Sequence, residues 1–341
     1  MKFLPLQLLV TILFLVAVTE CSFAQQYTIK FATLAPEGST WMNVMKEYDA
    51  AIRKESGGKL GFKIYANGVQ GDEKDVLRKI KLGQLQSAGI TGVGIGEIAP
   101  EVRILDSPFL FKSSEEADYI YKTFGQDFDA AFQKGGYVNL GWAEVGFVYV
   151  FTNTPVKQPA DMSSVKMWLW EGDPVAEASL KVLGIHAIPL SIADVLTSLQ
   201  TGLVDGFYTT PFAAVALQWF TRAKYVFDAP LSNACGAVVI SKKKYDELPP
   251  DLQEILSRNG NIYLSKLTTA VREDNIKSMT TLKQQGITIV EPASNQVKGQ
   301  LDEIGKQTRQ ALVGKLFDQA LLTRVENALK SYREAGAKGS K

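Results

Sequence analysis

The chain is poor in the residues on which most enzyme chemistry rests. In 341 residues it holds one histidine, His186, and two cysteines, Cys21 and Cys235. A transition-metal site draws on clustered His and Cys, which this set cannot supply, and no loop carries the acidic spacing of a calcium site. His186 sits in Gly184-Ile185-His186-Ala187 ahead of Pro189. It reads as a solvated loop residue, because no nucleophile is placed beside it to make it a general base. There is no Walker A sequence. Gly92-x-Gly94-x-Gly96 departs from the dinucleotide fingerprint: its third glycine comes one residue early, and Pro100 cuts short any helix that would receive a pyrophosphate. That stretch reads as a strand-exit loop. Charge of neither sign dominates, with 37 Lys and Arg against 36 Asp and Glu, so nothing draws the protein onto nucleic acid or an acidic membrane. No metal, cofactor or nucleic-acid partner is expected.

What is present is apolar residue in quantity, 46% of the chain, enough for two cores, since single cores stop growing at roughly 250 to 300 residues. The first segment reads as an export signal. After Met1-Lys2 an apolar stretch runs from Phe3 to Val18, and Ser22-Phe23-Ala24 forms a small-x-small cleavage site. The uninterrupted part, Leu8 to Val18, is short of the ~20 residues that span a bilayer, and Glu20 before Cys21 argues against lipidation. Residues 1–24 are therefore expected to be removed, placing the mature protein in the periplasm. Cys235 is then the sole cysteine and has no intramolecular disulfide partner.

In the mature chain Tyr27 to Thr33 alternates as a strand. Trp41, Val44, Met45, Tyr48 and Ile52 follow at helical spacing, and Gly57-Gly58 precedes a strand from Leu60 to Tyr65. Asp72 is placed to cap a helix carrying Val76, Leu77 and Ile80; Leu85 to Thr91 is the next strand. Strand, helix, strand, helix, strand implies a parallel sheet covered on both faces. A second cycle starts near Val145, with strands at Gly146 to Thr152 and Val165 to Trp170. Ser191-x-x-Asp194 resembles a capping box, Gly202 stops its helix, and Leu203 to Tyr208 returns to a strand. Leu248 to about Gly286 reads as one long helix, a short strand follows at Ile287 to Val290, and two amphipathic helices close the chain.

The order of several short motifs resembles the solute-binding proteins of tripartite ATP-independent periplasmic (TRAP) transporters, the DctP-like extracellular solute-binding family 7. These are Gly71-Asp72-Glu73, Lys81-Leu82-Gly83-Gln84-Leu85, Leu105-Asp106-Ser107-Pro108-Phe109-Leu110-Phe111, Thr152-Asn153-Thr154-Pro155, Pro159-Ala160-Asp161-Met162, Val165-Lys166-Met167 and Leu199-Gln200-Thr201-Gly202-Leu203-Val204-Asp205-Gly206. The resemblance implies an α/β, two-lobed periplasmic-binding-protein-like (type II) fold with hinge strands and a long bracing helix. Lobe I is expected at 25–150 and about 236–285, and lobe II at 151–235 and about 286–341 with the C-terminal helices. It also implies capture of a solute on lobe closure and delivery to a small and a large membrane subunit; a periplasmic repeat protein is a further candidate partner.

The family's binding residues do not all carry over. Most members keep an arginine on the strand after the Pro-x-Asp motif, where it forks onto a substrate carboxylate. This chain has Trp168 there. A second arginine of sialic-acid-type members aligns with about Val148, and the usual Asn after Val-Asp-Gly falls on Thr209 or Thr210. Burying a carboxylate without a paired donor costs several kcal/mol. The cleft is therefore expected to take an apolar, aromatic or amphipathic solute. Its candidate lining is Trp168, Trp170, Val148, Tyr208, Thr209 and Thr210, with Leu34 and Thr91 at the exits of two first-lobe strands. Period-two alternation puts Lys166, Trp168 and Trp170 on one strand face.

Four rivals stay open, one of them a purely structural scaffold, a partner of a periplasmic repeat protein, that holds no ligand at all. An organic acid, a C4-dicarboxylate or sugar acid, would use Lys166, backbone amides or an unaligned arginine such as Arg103. A quaternary ammonium would use an aromatic cage charged by Glu144, Glu171 or Asp173. An exported enzyme rests only on the fold and scattered acids.

Overall fold

The computed structural model describes residues 26–339; the expected export signal lies outside them. The first strand, β1 (Tyr27–Thr33), buries Ile29 and Phe31 completely. Helix α1 (Thr40–Glu55) starts where the Ser39 side chain accepts from the Met42 amide, and it buries Trp41, Met42, Val44, Met45, Tyr48 and Ile52. After β2 (Leu60–Tyr65), helix α2 (Glu73–Lys81) is capped by Asp72 and has acids in its first turn and bases in its last, the arrangement the helix dipole favours.

Two sheets divide the strands. The first has the order β2-β1-β3-β10-β4, with β3 at Ser87–Thr91, β4 at Tyr137–Trp142 and β10 at Gly236–Ser241. β1 runs parallel to β2 and β3, but β10 is antiparallel to both β3 and β4. The sheet is mixed where the strand-helix alternation implied a parallel one. The run Gly236 to Ile240 signals burial but carries no sign of direction. The second sheet is ordered β11-β9-β5-β8-β6-β7, with β5 at Gly146–Thr152, β6 at Met167–Trp170, β7 at Ala187–Leu190, β8 at Gly206–Thr209, β9 at Tyr225–Ala234 and β11 at Thr288–Val290.

The chain passes between the sheets at Ala143 to Val145 and at Cys235, and the two crossings are tied together. The Ala143 amide donates to Gly236 O at 2.7 Å and the Val145 amide to Ala234 O at 3.0 Å. Helix α10 (Pro250–Gln284) braces both sheets over 35 residues. Leu256, Leu264 and Leu267 pack in the core around Tyr48 and Ile52, while Leu282 joins the core of the second sheet around Phe207 and Val226.

Two local readings are corrected. Gly92 to Ile98 is a helix, α3, rather than a loop, and Pro100–Asp106 continues as a 3-10 helix. The glycines act here as spacers: a Cβ on Gly94 would lie 2.8 Å from the Glu73 carboxylate. Ser191 begins a 3-10 turn, its hydroxyl donating to Asp194 Oδ2, before helix α7 (Val195–Thr201), which stops at Gly202 with a φ of 73°. The closing helices also part company. Helix α11 (Asn295–Leu312) puts Val297 and Leu301 beside Leu180 of α6 (Pro174–Val182) on the second lobe. The last helix, α12 (Gln319–Gly339), was expected with lobe II and packs on the first lobe instead. Leu322, Val325 and Leu329 enter the core with Ala117 and Ile120 of α4 (Ser114–Thr123), and Arg333 pairs with Glu116 at 2.7 Å. Its amphipathic period showed that one face is buried without showing against what.

Candidate functional site

Between the two sheets lies a cavity of about 570 Å³. The first lobe contributes the exits of β1 and β3 with the N-terminal ends of α2 and α3; the second contributes β6, the β8 exit and the start of α8 (Pro211–Ala216). This placement follows from the parallel strands, whose carboxyl ends and following helices meet at one edge of each sheet.

An aromatic wall forms its second-lobe side. Trp168 stacks on Tyr208 with ring centroids 5.0 Å apart and 19° between planes, lies 6.1 Å from Trp170, and meets Trp219 edge-on at 5.1 Å. The ring is only 2% exposed and its Nε1 donates to Leu190 O at 3.1 Å. Trp168 is thus both core and wall, with its polar edge already satisfied. Trp170 Nε1 reaches across the cleft to Asp72 Oδ2 at 3.1 Å, and the Trp170 amide donates to the Tyr208 hydroxyl. Burial pushes the Tyr208 phenol well above its ordinary value, so it stays neutral. Leu34, Val93, Val148, Ile192 and Phe212 continue the apolar surface.

The charged groups of the cavity are bound to one another. Arg103 is the only Lys, Arg or His among the described residues that line it. Its side chain is 3% exposed; Nε lies 2.9 Å from Asp106 Oδ2 and Nη2 is 2.7 Å from Asp173 Oδ1. Burial opposes the charge, but the two carboxylates outweigh it and hold the guanidinium protonated. Asp106 also accepts from the Cys235 amide at 2.7 Å, and Asp173 caps α6 through the Val175 amide. Glu73 accepts from the amides of Thr91 and Gly94 at 2.8 and 2.6 Å, and from the Thr91 hydroxyl. Its burial lifts the pKa from 4.5 to about 7, against the pull of those donors and with the help of Asp72. The Asp72–Trp170 and Arg103–Asp173 contacts, with Lys74 Nζ donating to Gly172 O at 3.2 Å, join the first-lobe helices to the corner after β6.

All eight residues expected at the cleft, Trp168, Trp170, Val148, Tyr208, Thr209, Thr210, Leu34 and Thr91, line the cavity. The rival charges fall elsewhere. Lys166 is exposed, outside the lining, and donates to Gly202 O at the strand entrance. Glu144 is buried away from it on Asn233 and Arg272, and Glu171 is exposed outside it, so of the proposed cage charges only Asp173 is present. Sequence reasoning did not assign Asp72, Glu73, Asp106 or Trp219 to the site. The motif Gly71-Asp72-Glu73 marked a helix start, which is where cleft residues collect; Trp219 follows Gln218 at a φ of 58° and had no periodic signal.

Two α/β sheets joined by paired crossing strands and a bracing helix, with the cavity between them, define a two-lobed periplasmic-binding-protein-like fold. Residues 31–311 match the family described as bacterial extracellular solute-binding protein, family 7 (DctP), and the chain belongs to that family. A solute-binding protein of Verminephrobacter eiseniae is 27% identical over 274 residues, 79% of this chain and 80% of the relative. The 2,3-diketo-L-gulonate-binding periplasmic protein YiaO of Escherichia coli is 26% identical, covering 88% and 90%. Among solved structures, a TRAP periplasmic solute binding protein from Desulfovibrio salexigens with bound orotic acid superposes with a TM-score of 0.83 at 16% identity, covering 89% of this chain and 99% of that one. One from Citrobacter koseri with bound D-glucuronate gives 0.80 at 23% identity, covering 87% and 98%. Among the described residues no helix is long and apolar enough to cross a membrane.

Proposed function

We propose that this chain is the extracytoplasmic binding subunit of a TRAP-type secondary transporter. It captures a small apolar, aromatic or amphipathic solute between its lobes and delivers it to a small and a large membrane subunit from the periplasm. One observation carries the choice of solute: the only cation of the described cavity lining has its guanidinium engaged by Asp106 and Asp173. A carboxylate entering the cleft would meet a further acid, Asp72, and no free counter-charge. An apolar or planar solute meets the edge of the wall built by Trp168, Trp170, Tyr208 and Trp219. Trp168 and Trp219 are already 2% exposed, so the burial gain comes chiefly from the half-buried Tyr208, Leu34, Ile192 and Phe212, in proportion to the apolar area they lose to water. In this reading the hinge is the pair of crossings at Ala143 to Val145 and at Cys235, a few residues before the boundary expected near 150, since β5 already belongs to the second sheet.

A second reading is favoured by different observations. Structural neighbours carry D-glucuronate, β-D-galacturonate, D-erythronate and orotic acid in their crystals, and Arg103 does border the cavity. In that reading an organic acid displaces Asp173 from Arg103. A thermal-shift screen separates the two. Stabilisation follows the ratio of ligand concentration to Kd, so a rise in Tm with succinate or a hexuronate, and none with neutral aromatic solutes, would replace the first reading with the second.

A further inference from the structure

We propose that Asp173 is a specificity-determining residue, a built-in carboxylate that fills the anion-binding fork of Arg103 and thereby keeps organic acids out of the cleft. This rests on the apolar reading of the same site.

The geometry distinguishes the two aspartates. Asp106 belongs to the same 3-10 segment as Arg103 and is fixed to the backbone through the Cys235 amide. It neutralises a charge that would otherwise be buried alone, since Arg103 is 2% exposed. Asp173 comes from the opposite lobe, at the corner that follows Trp170, and its Oδ1 takes Nη2 at 2.7 Å. It reaches the guanidinium from the far side of the cleft, as a bound carboxylate would. Nη1 and Nε of the same group, and Asp106 Oδ2, are buried without a hydrogen-bond partner, so Asp106 meets the guanidinium as an ion pair only and the fork is only partly satisfied by its internal anion. Discrimination built from a repulsive element is a common device in selective sites. Here the element has a second function, because joining Arg103 of one lobe to Asp173 of the other favours closure without an acidic ligand.

The test is Asp173→Ser, with Asp173→Asn as its partner. Serine is a good cap for α6, so it keeps the acceptor for the Val175 amide while vacating the fork; asparagine keeps the shape and removes the charge. Succinate and D-glucuronate are titrated against folded wild type and both variants by calorimetry. The wild type is expected to show no binding. Asp173→Ser is expected to bind at least one of them ten-fold or more tighter than the wild-type limit, Asp173→Asn by less, and the gain should vanish in Asp173→Ser combined with Arg103→Met. A silent wild type with both variants silent overturns the assignment of Asp173 and leaves the apolar reading standing; if Asp173→Ser does not fold, a silent Asp173→Asn decides it. Tight binding by the wild type overturns the apolar reading itself.

Discussion

Glu73 sets a testable pH dependence. The carboxyl is 2% exposed at the first turn of α2, and its pKa stands at about 7 where 4.5 is ordinary, chiefly through burial. Each tenfold change in proton affinity is worth ~1.4 kcal/mol. Ionising this group in the native state therefore costs about 3 kcal/mol of stability once the pH is above the range. Between pH 4.5 and about 7 the folded protein holds a proton that the unfolded chain has released. Stability on this account is highest at the acidic end and declines as pH rises through the window. Glu73→Gln has no proton to lose. Its carbonyl still accepts from the Thr91 amide, but its NH2 faces the Gly94 N–H, a pH-independent cost of about 1–3 kcal/mol. Urea unfolding of both proteins at pH 5, 6, 7 and 8 should show wild type the more stable at pH 5, with its advantage shrinking or reversing by pH 8. A difference that stays constant across the range would refute the reasoning.

Other consequences are as direct. Arg272→Ala leaves Glu144, 2% exposed at its side chain, without its ion pair, and should cost about 3–5 kcal/mol in chemical denaturation; a loss below about 1 would contradict it. Gly260→Ala should destabilise although alanine gains about 1 kcal/mol in helix propensity, because its Cβ would sit 2.3 Å from Leu140 O, whereas Gly299→Ala meets nothing within 4 Å and should stabilise. Equal signs for the two would show that propensity alone governs. Asp72→Ala removes the cap of α2 and the partner of Trp170 Nε1; it should lower stability by about 1 kcal/mol and enlarge the radius measured by X-ray scattering, and an unchanged radius would show that this contact does not hold the lobes together.

Helical periodicity made α1 and α10 legible, because Trp41 to Ile52 and Leu252 to Leu282 each carry a sustained apolar stripe. Sheet order was less so. β9 contains Asp228 and Pro230, which break the strand pattern, and the antiparallel entry of β10 depends on a tertiary crossing that no local residue encodes. The aromatic wall was legible through alternation at Trp168 and Trp170 together with the family resemblance. Arg103 entered only as an unaligned rival. Nothing in a short 3-10 segment announces that its side chain will be enclosed and joined to Asp173, 70 positions further on. The charge balance of the cleft is a property of that long-range pair, and the proposed choice of solute rests on it more than on any residue of the strand.

The most direct measurement is native mass spectrometry of the protein purified without refolding, followed by release and identification of whatever is bound. A neutral aromatic, apolar or amphipathic molecule in one-to-one complex is the result expected from a cleft whose arginine is already paired. Recovery of a C4-dicarboxylate or sugar acid would contradict it.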